Sequence, residues 1–292
     1  MPWRCSTAAV PPPPDRDGER QDPATERVLR DWMNFLSFGF TPTATGTSDT
    51  HGIVRPAGMP RSLVRVSDDS PAAIAAGIGE EVVRTVSGQG GAPRDVIVTN
   101  GPFLQLWVGE DPARGGIGRT VSLSGSKLRI TAEVRTVQWA PVDTLEVFAN
   151  STFLDNGTEA EPLVPALCFT SRPMISARCR AAVVSGPLHV VRVDEGSGRV
   201  YLRARVEVEV DVEQLLARNR PGARGRDLWL VARAFGDRAL FPVLPGGLDR
   251  KVSIASLLDG PPVTTSGLFP LAFTNPVFVD VDGGGWRGPF QP

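Results

Sequence analysis

The sequence predicts an α+β protein in which a partial (β/α) portion is followed by an antiparallel β-sandwich. Three observations support this fold class. A helix-period segment and a short strand come early, strands with strict period-two alternation follow from about residue 127, and 31 Gly and 27 Pro residues favour frequent turns. We expect a disordered leader over residues 1–22, an α/β portion over 23–118 and a β-sandwich over 119–292.

Composition excludes several functional classes. The 292 residues contain 41% hydrophobic and 22% charged residues, with a net charge of −1, which is typical of a globular protein. Acidic and basic residues are mixed along the chain, so we expect no nucleic-acid partner. No apolar run is long enough to span a bilayer. The Pro-rich N-terminus lacks the apolar core of a signal peptide, which predicts a leader without structure.

An amphipathic helix is predicted over residues 23–38. Asp22 can cap it, Pro23 suits its first turn and Gly39 ends it. The apolar stripe expected to face the core consists of Val28, Leu29, Trp32, Phe35 and Leu36. The segment "FTPTATG" then reads as a short strand, and "TSDTHG" as the loop at its carboxyl end.

A second helix is predicted from Ser70 to about Val86, with Ser70 as its cap and Pro71 in its first turn. The segment "RDVIVTNGPFLQLWVG" follows, as two β-rich runs joined by a turn at "NGP". The alternating segments "KLRITAEVRTV", "DTLEVFAN" and "RVYLRARVEVEVDV" then predict strands with one buried and one solvated face, in a sandwich of six to eight strands. The segment "DVEQLLARNRP" predicts a brief helical turn.

A pair of cysteines and a pair of aspartates lie outside the "TSDTHG" loop and are further candidates for a disulfide or a metal site. Cys168 and Cys179 are eleven residues apart and either close a disulfide loop in an exported protein or remain free thiols in a reducing compartment. The "DVDGGG" segment resembles a calcium loop but lacks its distal Glu. We interpret it as a turn with two exposed carboxylates, those of Asp280 and Asp282.

Asp49 and His51 form the strongest chemical signal. In an extended segment residues two apart point the same way, so both side chains could face one ion. A carboxylate with an imidazole suits Zn, Mn or Fe. The alternative is a turn capped by Asp49, with His51 at the surface. His189, the second of two histidines, lies in a strand-like segment and is not expected to be a ligand.

Four segments together resemble one family. They are "DWMNFLSFGFTPTATGTSDTHG", "GMPRSLVRV", "IVTNGPFLQLWVG" and "FTNPVFVDVDGGG". In this order they resemble PHP-superfamily metal-dependent hydrolases of the CehA/McbA-like (carbaryl-hydrolase-like) branch, over residues 27–285. The resemblance implies that Asp49 and His51 are metal ligands at the end of the last strand of a distorted (β/α) barrel. It places residues 99–102 in a loop near the accessory β-domain, and Arg61 near the site or in a surface ion pair.

The sequence also departs from that family. PHP enzymes take further ligands from an H-x-H motif and from middle strands, and these are not found here, so the resemblance implies the C-terminal part of such an enzyme. The remaining ligands would come from a missing upstream segment or a second chain. The implied substrate is a small-molecule ester, carbamate or phosphoester, and the implied location is outside the cytoplasm or in the periplasm. The alternative function is a non-catalytic binding or structural module of the cell envelope, with aromatic side chains at Trp139, Trp286 and Phe290.

Overall fold

The fold is taken from a computed structural model that describes residues 3–5, 23–48, 58–79, 95–150, 163–196, 198–219, 221–238, 240 and 269–291. Five helices lie within these ranges: α1 (Pro23–Ser37), α2 (Pro71–Ile78), α3 (Pro112–Gly115), α4 (Ala177–Arg180) and α5 (Val212–Leu216). The last confirms the predicted helical turn. Among the described residues, no helix combines the length and apolar character that crossing a membrane requires.

Fifteen strands are described. They are β1 (Trp3–Cys5), β2 (Ala44–Gly46), β3 (Arg61–Val64), β4 (Val96–Thr99), β5 (Phe103–Val108), β6 (Thr120–Ser122), β7 (Lys127–Thr136), β8 (Thr144–Ala149), β9 (Leu167–Thr170), β10 (Val184–Pro187), β11 (Val190–Asp194), β12 (Val200–Asp211), β13 (Leu228–Phe235), β14 (Leu271–Thr274) and β15 (Val277–Asp280). The predicted α+β class, with mainly antiparallel sheets, is confirmed at this level.

Two sheets make up most of the structure. Sheet I has nine strands in the order β10-β9-β8-β13-β14-β4-β3, with β15 joined to β13 and β6 joined to β15. Sheet II has four antiparallel strands in the order β11-β12-β7-β5. The long β7–β12 pairing runs from Lys127 opposite Asp211 to Thr136 opposite Leu202. Because β4 and β5 lie in different sheets, the segment "TNGP" between them crosses from one layer to the other.

The core forms two layers, one on each face of sheet I. The inner layer, between the two sheets, takes alternate residues such as Ile97, Val147 and Leu230. The residues between them in sequence, among them Val98, Phe148 and Trp229, point to the opposite face and pack against α1. Period-two alternation therefore supplies both layers, and the order of layers is α1, sheet I, sheet II.

Helix α1 buries a slightly different stripe from the predicted one. Leu29, Trp32 and Leu36 are buried as expected, together with Met33. Phe35, predicted to face the core, is 37% exposed and lies edge-on to Phe40. The prediction for Phe35 was wrong because Met33 completes the row formed with Leu29 and Leu36, which leaves Phe35 at the margin of the contact.

Helix α2 starts as predicted, since Ser70 Oγ accepts a hydrogen bond from the Ala73 main-chain N–H at 3.2 Å. It ends at Ile78 rather than near Val86, because Gly79 adopts a left-handed conformation and its N–H bonds back to Ala75 and Ala76. Residues 80–94, which include the rest of the predicted helix, lie outside the described range.

The predicted segment boundaries can be compared with the backbone pairing. Within the expected leader, Trp3–Cys5 pairs in parallel with Ala44–Gly46, and the other residues of 1–22 are outside the described range. Strands from both sides of residue 118 share sheet I, since β4 pairs with β14 and β6 with β15. The described sheets therefore do not divide at residue 118.

Candidate functional site

Strand β2 leads directly to the predicted metal ligands. It spans Ala44–Gly46 and its residues are buried. Asp49 and His51 lie outside the described residues, so their role as ligands stays a prediction. The structure does show how the strand that precedes them in sequence is held.

Asn275 fixes the start of β2. Its Oδ1 accepts the Ala44 main-chain N–H at 2.8 Å, and its Nδ2 donates to the carbonyl oxygens of Ala44 at 3.0 Å and Val96 at 2.9 Å. The side chain is 1% exposed. One buried amide therefore joins β2 to β4, and Asn275 belongs to the "FTNPV" segment that contributed to the family resemblance.

Gly46 and Ser62 fix the end of β2. Ser62 Oγ accepts the Gly46 N–H at 2.9 Å and lies 3.3 Å from the Gly46 carbonyl oxygen. A Cβ at position 46 would lie 2.5 Å from Val98 Cγ1 and 3.2 Å from the Arg61 carbonyl oxygen. The strand therefore approaches its neighbours closely enough to require glycine.

The "TNGPF" segment makes a buried crossing between the two sheets. Thr99 Oγ1 accepts the Gly101 N–H and donates to the Pro102 carbonyl oxygen. Asn100 Oδ1 accepts the Leu271 N–H at 2.6 Å, and the Asn100 N–H donates to the Leu271 carbonyl oxygen at 3.0 Å. These polar groups are satisfied by the main chain, which gives Thr99 and Asn100 a structural role.

All four segments of the resemblance meet around β2. The first contains β2, the second supplies Ser62 on β3, the third supplies Val98 on β4, and the fourth supplies Asn275. These segments are up to 231 residues apart in sequence. Arg61 is exposed on β3, and His189 is exposed just before β11.

A second cluster contains Glu146, Cys168 and Cys179, all buried, with potential ligand atoms within 4.8 Å of one another. The structure joins the two sulfurs, with the Cα atoms 5.2 Å apart, so neither thiolate is available as a ligand. The Glu146 carboxylate faces Arg233 at 2.7 Å and Arg178 at 3.2 Å. Two guanidiniums beside one carboxylate disfavour a cation, and the donor set does not fit a metal.

Glu146 also corrects the pattern predicted for "DTLEVFAN". Alternation placed it on a solvated face, yet it is 0% exposed. Strand β8 lies between β9 and β13, and the guanidiniums of Arg178 and Arg233, which lie over the Phe235 ring at 5.4 and 5.3 Å, cover it. Sequence periodicity cannot report this, because both arginines come from other elements.

The carboxylates of Asp227, Asp280 and Asp282 form a third cluster. The positions of two of them correct the interpretation of "DVDGGG". Asp282 is exposed as predicted, but Asp280 is only 5% exposed. Its carboxylate accepts the N–H groups of Gly283 at 2.7 Å and Gly285 at 3.0 Å. The prediction of an exposed Asp280 was wrong because its carboxylate organises the glycine turn from inside.

Asp227, which no local motif marks, lies beside this turn. Its carboxylate accepts the N–H groups of Val281 at 2.8 Å and Arg287 at 2.7 Å. Burial raises the pKa of the Asp227 carboxyl, and the nearby charges of Asp282 and Asp280 raise it further, against those two hydrogen bonds. The carboxylates of Asp227, Asp280 and Asp282 all accept main-chain N–H groups around this turn, which gives the three residues a structural role.

Comparison with known proteins adds no relative: no family model matches the chain, no curated protein is detectably similar, and no solved structure matches the fold.

Proposed function

We propose that this chain is the C-terminal part of a PHP-like metal-dependent hydrolase. In this proposal the loop after β2 carries Asp49 and His51 as the last two ligands of a Zn, Mn or Fe site. The supporting observation is the convergence on β2 of the four segments that resemble the family. Metal ligands in a loop after a strand keep their geometry only if the strand itself is held in place, and several separate segments hold β2.

The donor set of this chain fits only part of such a site. Asp49 and His51 supply one carboxylate and one imidazole, whereas zinc sites have three or four protein ligands. A divalent metal in a complete site activates water for attack on an ester, carbamate or phosphoester. We assign no catalytic step to this chain alone, and infer that an upstream segment or a second chain completes the site.

Metal binding by the purified chain tests this proposal. We expect weak Zn or Mn binding by calorimetry, lost in Asp49→Asn and His51→Gln, with no turnover of an aryl ester. The matched control is His189→Gln, which removes the other histidine from an exposed position and should leave binding unchanged. If His51→Gln binds metal as well as the unaltered chain does, the ligand assignment is wrong.

A non-catalytic binding module is the second candidate, and exposed Trp139 favours it. Trp139 is 48% exposed. Trp286 instead packs on Phe278, with ring centroids 4.3 Å apart, and Phe290 on Phe38 at 5.8 Å, so those two rings support the fold. Retention on cell-wall polysaccharide that Trp139→Ala abolishes would favour this function. Equal elution of both proteins would remove its support.

A further inference from the structure

A cleft opens at one flank of the molecule, where edge strand β3 of sheet I faces edge strand β5 of sheet II. Its volume is about 250 Å³. The cleft and β2 lie on opposite faces of the same edge of sheet I, because Ile97 faces sheet II whereas Val98, its neighbour in sequence, faces β2. The cleft is independent of the proposed metal site.

The floor of the cleft is apolar. It is formed by Ile97 from sheet I, Leu104 and Leu106 from β5, and Ile117 after α3. All four side chains belong to the buried core between the sheets. Leu63, which is 39% exposed, continues this surface to the outside. An apolar group entering here would extend the inter-sheet core, which gives the favourable free energy of apolar burial.

The rim of the cleft carries an oriented guanidinium. Arg65 Nε lies 2.7 Å from Asp95 Oδ2, and the Arg65 N–H donates to the Asp95 carbonyl oxygen at 2.9 Å. The Asp95 side chain is 28% exposed and that of Arg65 is 67% exposed. Asp95 therefore holds Arg65 through Nε, while most of the Arg65 side chain remains exposed at the rim.

The local charge favours an anion. Arg65 and Arg119 both act on Asp95, so two cations accompany one carboxylate. Burial raises the pKa of Asp95, and the two arginines oppose that rise. An exposed guanidinium that a protein carboxylate already orients matches the planar, two-oxygen geometry of a carboxylate ligand.

We propose that this cleft binds a small monocarboxylate with an aryl or short alkyl body, the body between the sheets and the carboxylate on Arg65. Gln105, which also lines the cleft, offers an amide to the same head group. An amine of equal size would have to displace Arg65 from Asp95 beside a second cation, and is therefore disfavoured.

Titration of the full chain with phenylacetate, phenethylamine and phenylethanol tests the proposal by protein-observed NMR and calorimetry. These probes share one aryl body and differ in charge. We expect phenylacetate to bind, and the amine and the alcohol to bind about tenfold more weakly or not at all. Arg65→Gln should weaken phenylacetate binding about tenfold, and Leu63→Trp should block the cleft.

Arg61→Gln is the matched control, because it removes the same charge from an exposed position on β3, close to Arg65 in sequence, that does not line the cleft. It should bind phenylacetate as the unaltered chain does. Equal binding of all three probes, tighter binding of the amine, or no binding by the folded chain at millimolar phenylacetate would each overturn the proposal. So would equal losses in Arg65→Gln and Arg61→Gln.

Discussion

Single residues hold β2 in place. Asn275 uses one amide to bond Ala44 and Val96, and Gly46 leaves no room for a side chain beside Val98. Neither role can be predicted from neighbouring sequence, because the partners of Asn275 lie 231 and 179 residues away. The sequence marks both positions only as members of short motifs.

Gly46→Ala should lower the free energy of unfolding by about 1–3 kcal/mol, because its Cβ would overlap Val98. Urea denaturation measures this change. Adding Val98→Ala removes the clashing methyl, so the double variant should be less destabilised than the sum of the two single changes. Gly101→Ala, whose nearest contact would be 3.7 Å, is the control; equal costs at 46 and 101 would contradict the close approach.

Asp282→Asn should stabilise the fold at neutral pH. The raised pKa of Asp227 means that its ionised form is disfavoured in the fold, a penalty absent below about pH 3.9 and present as pH rises through the raised value. Removing the Asp282 charge relieves part of that penalty. We expect a gain of about a few tenths of a kcal/mol at pH 7 and none at pH 3, by urea denaturation.

The matched control for that change is Asp194→Asn. Asp194 Oδ1 accepts the N–H of Gly196 at 3.0 Å, just as Asp282 Oδ1 accepts that of Gly284 at 3.0 Å. Both changes keep an oxygen acceptor in a similar turn. Of the two residues changed, Asp282 raises the pKa of Asp227 and Asp194 does not act on it. A similar pH profile for both variants would show that the repulsion has no energetic effect.

Among the helices and strands, α1 agrees best with the prediction, and its one difference shows what periodicity leaves undecided. Its start, its end near Gly39 and most of its buried face follow from helical periodicity. The choice between Met33 and Phe35 depends on the surface of sheet I, where Trp32 meets Phe273 with ring centroids 6.0 Å apart. Helical periodicity predicts which face of α1 is apolar, and only packing against sheet I decides which residues at the edge of that face are buried.

Trp32→Ala should cost about 3–5 kcal/mol of stability, because it removes a buried ring and the Nε1 hydrogen bond to the Pro42 carbonyl oxygen at 2.8 Å. Phe35→Ala truncates an aromatic residue one turn along the same helix at a half-exposed position and should cost about 1 kcal/mol or less. Thermal and urea unfolding compare them. Similar costs would show that Phe35 also belongs to the core.

At the scale of the whole molecule, three layers join distant parts of the chain. Helix α1 covers one face of sheet I and sheet II covers the other. Near the far edge of sheet I, the bond between Cys168 and Cys179 ties α4 to β9. Its presence in the cell remains a prediction that depends on an oxidising compartment.

Protein exported to an oxidising compartment should carry Cys168 and Cys179 as a disulfide. Alkylation in denaturant without reductant, read by mass spectrometry, should then label Cys5 only, and the other two cysteines should be labelled once a reductant is added. Changing both to Ala should lower stability by about 2–3 kcal/mol, since a short closed loop is released. Labelling of all three cysteines before reduction would contradict both the bond and the export.

The sequence by itself determined the α+β class, the starts of α1 and α2, the alternation along β12 and the short strand β2 that precedes Asp49 and His51. These features depend on period, capping and turn chemistry, which act over a few residues. Only the tertiary structure decided that Glu146 and Asp280 are buried, that Asn275 holds β2, and that β3 and β5 border a cleft. Each of these depends on partners from distant elements, because burial and hydrogen bonding are set by which surfaces meet.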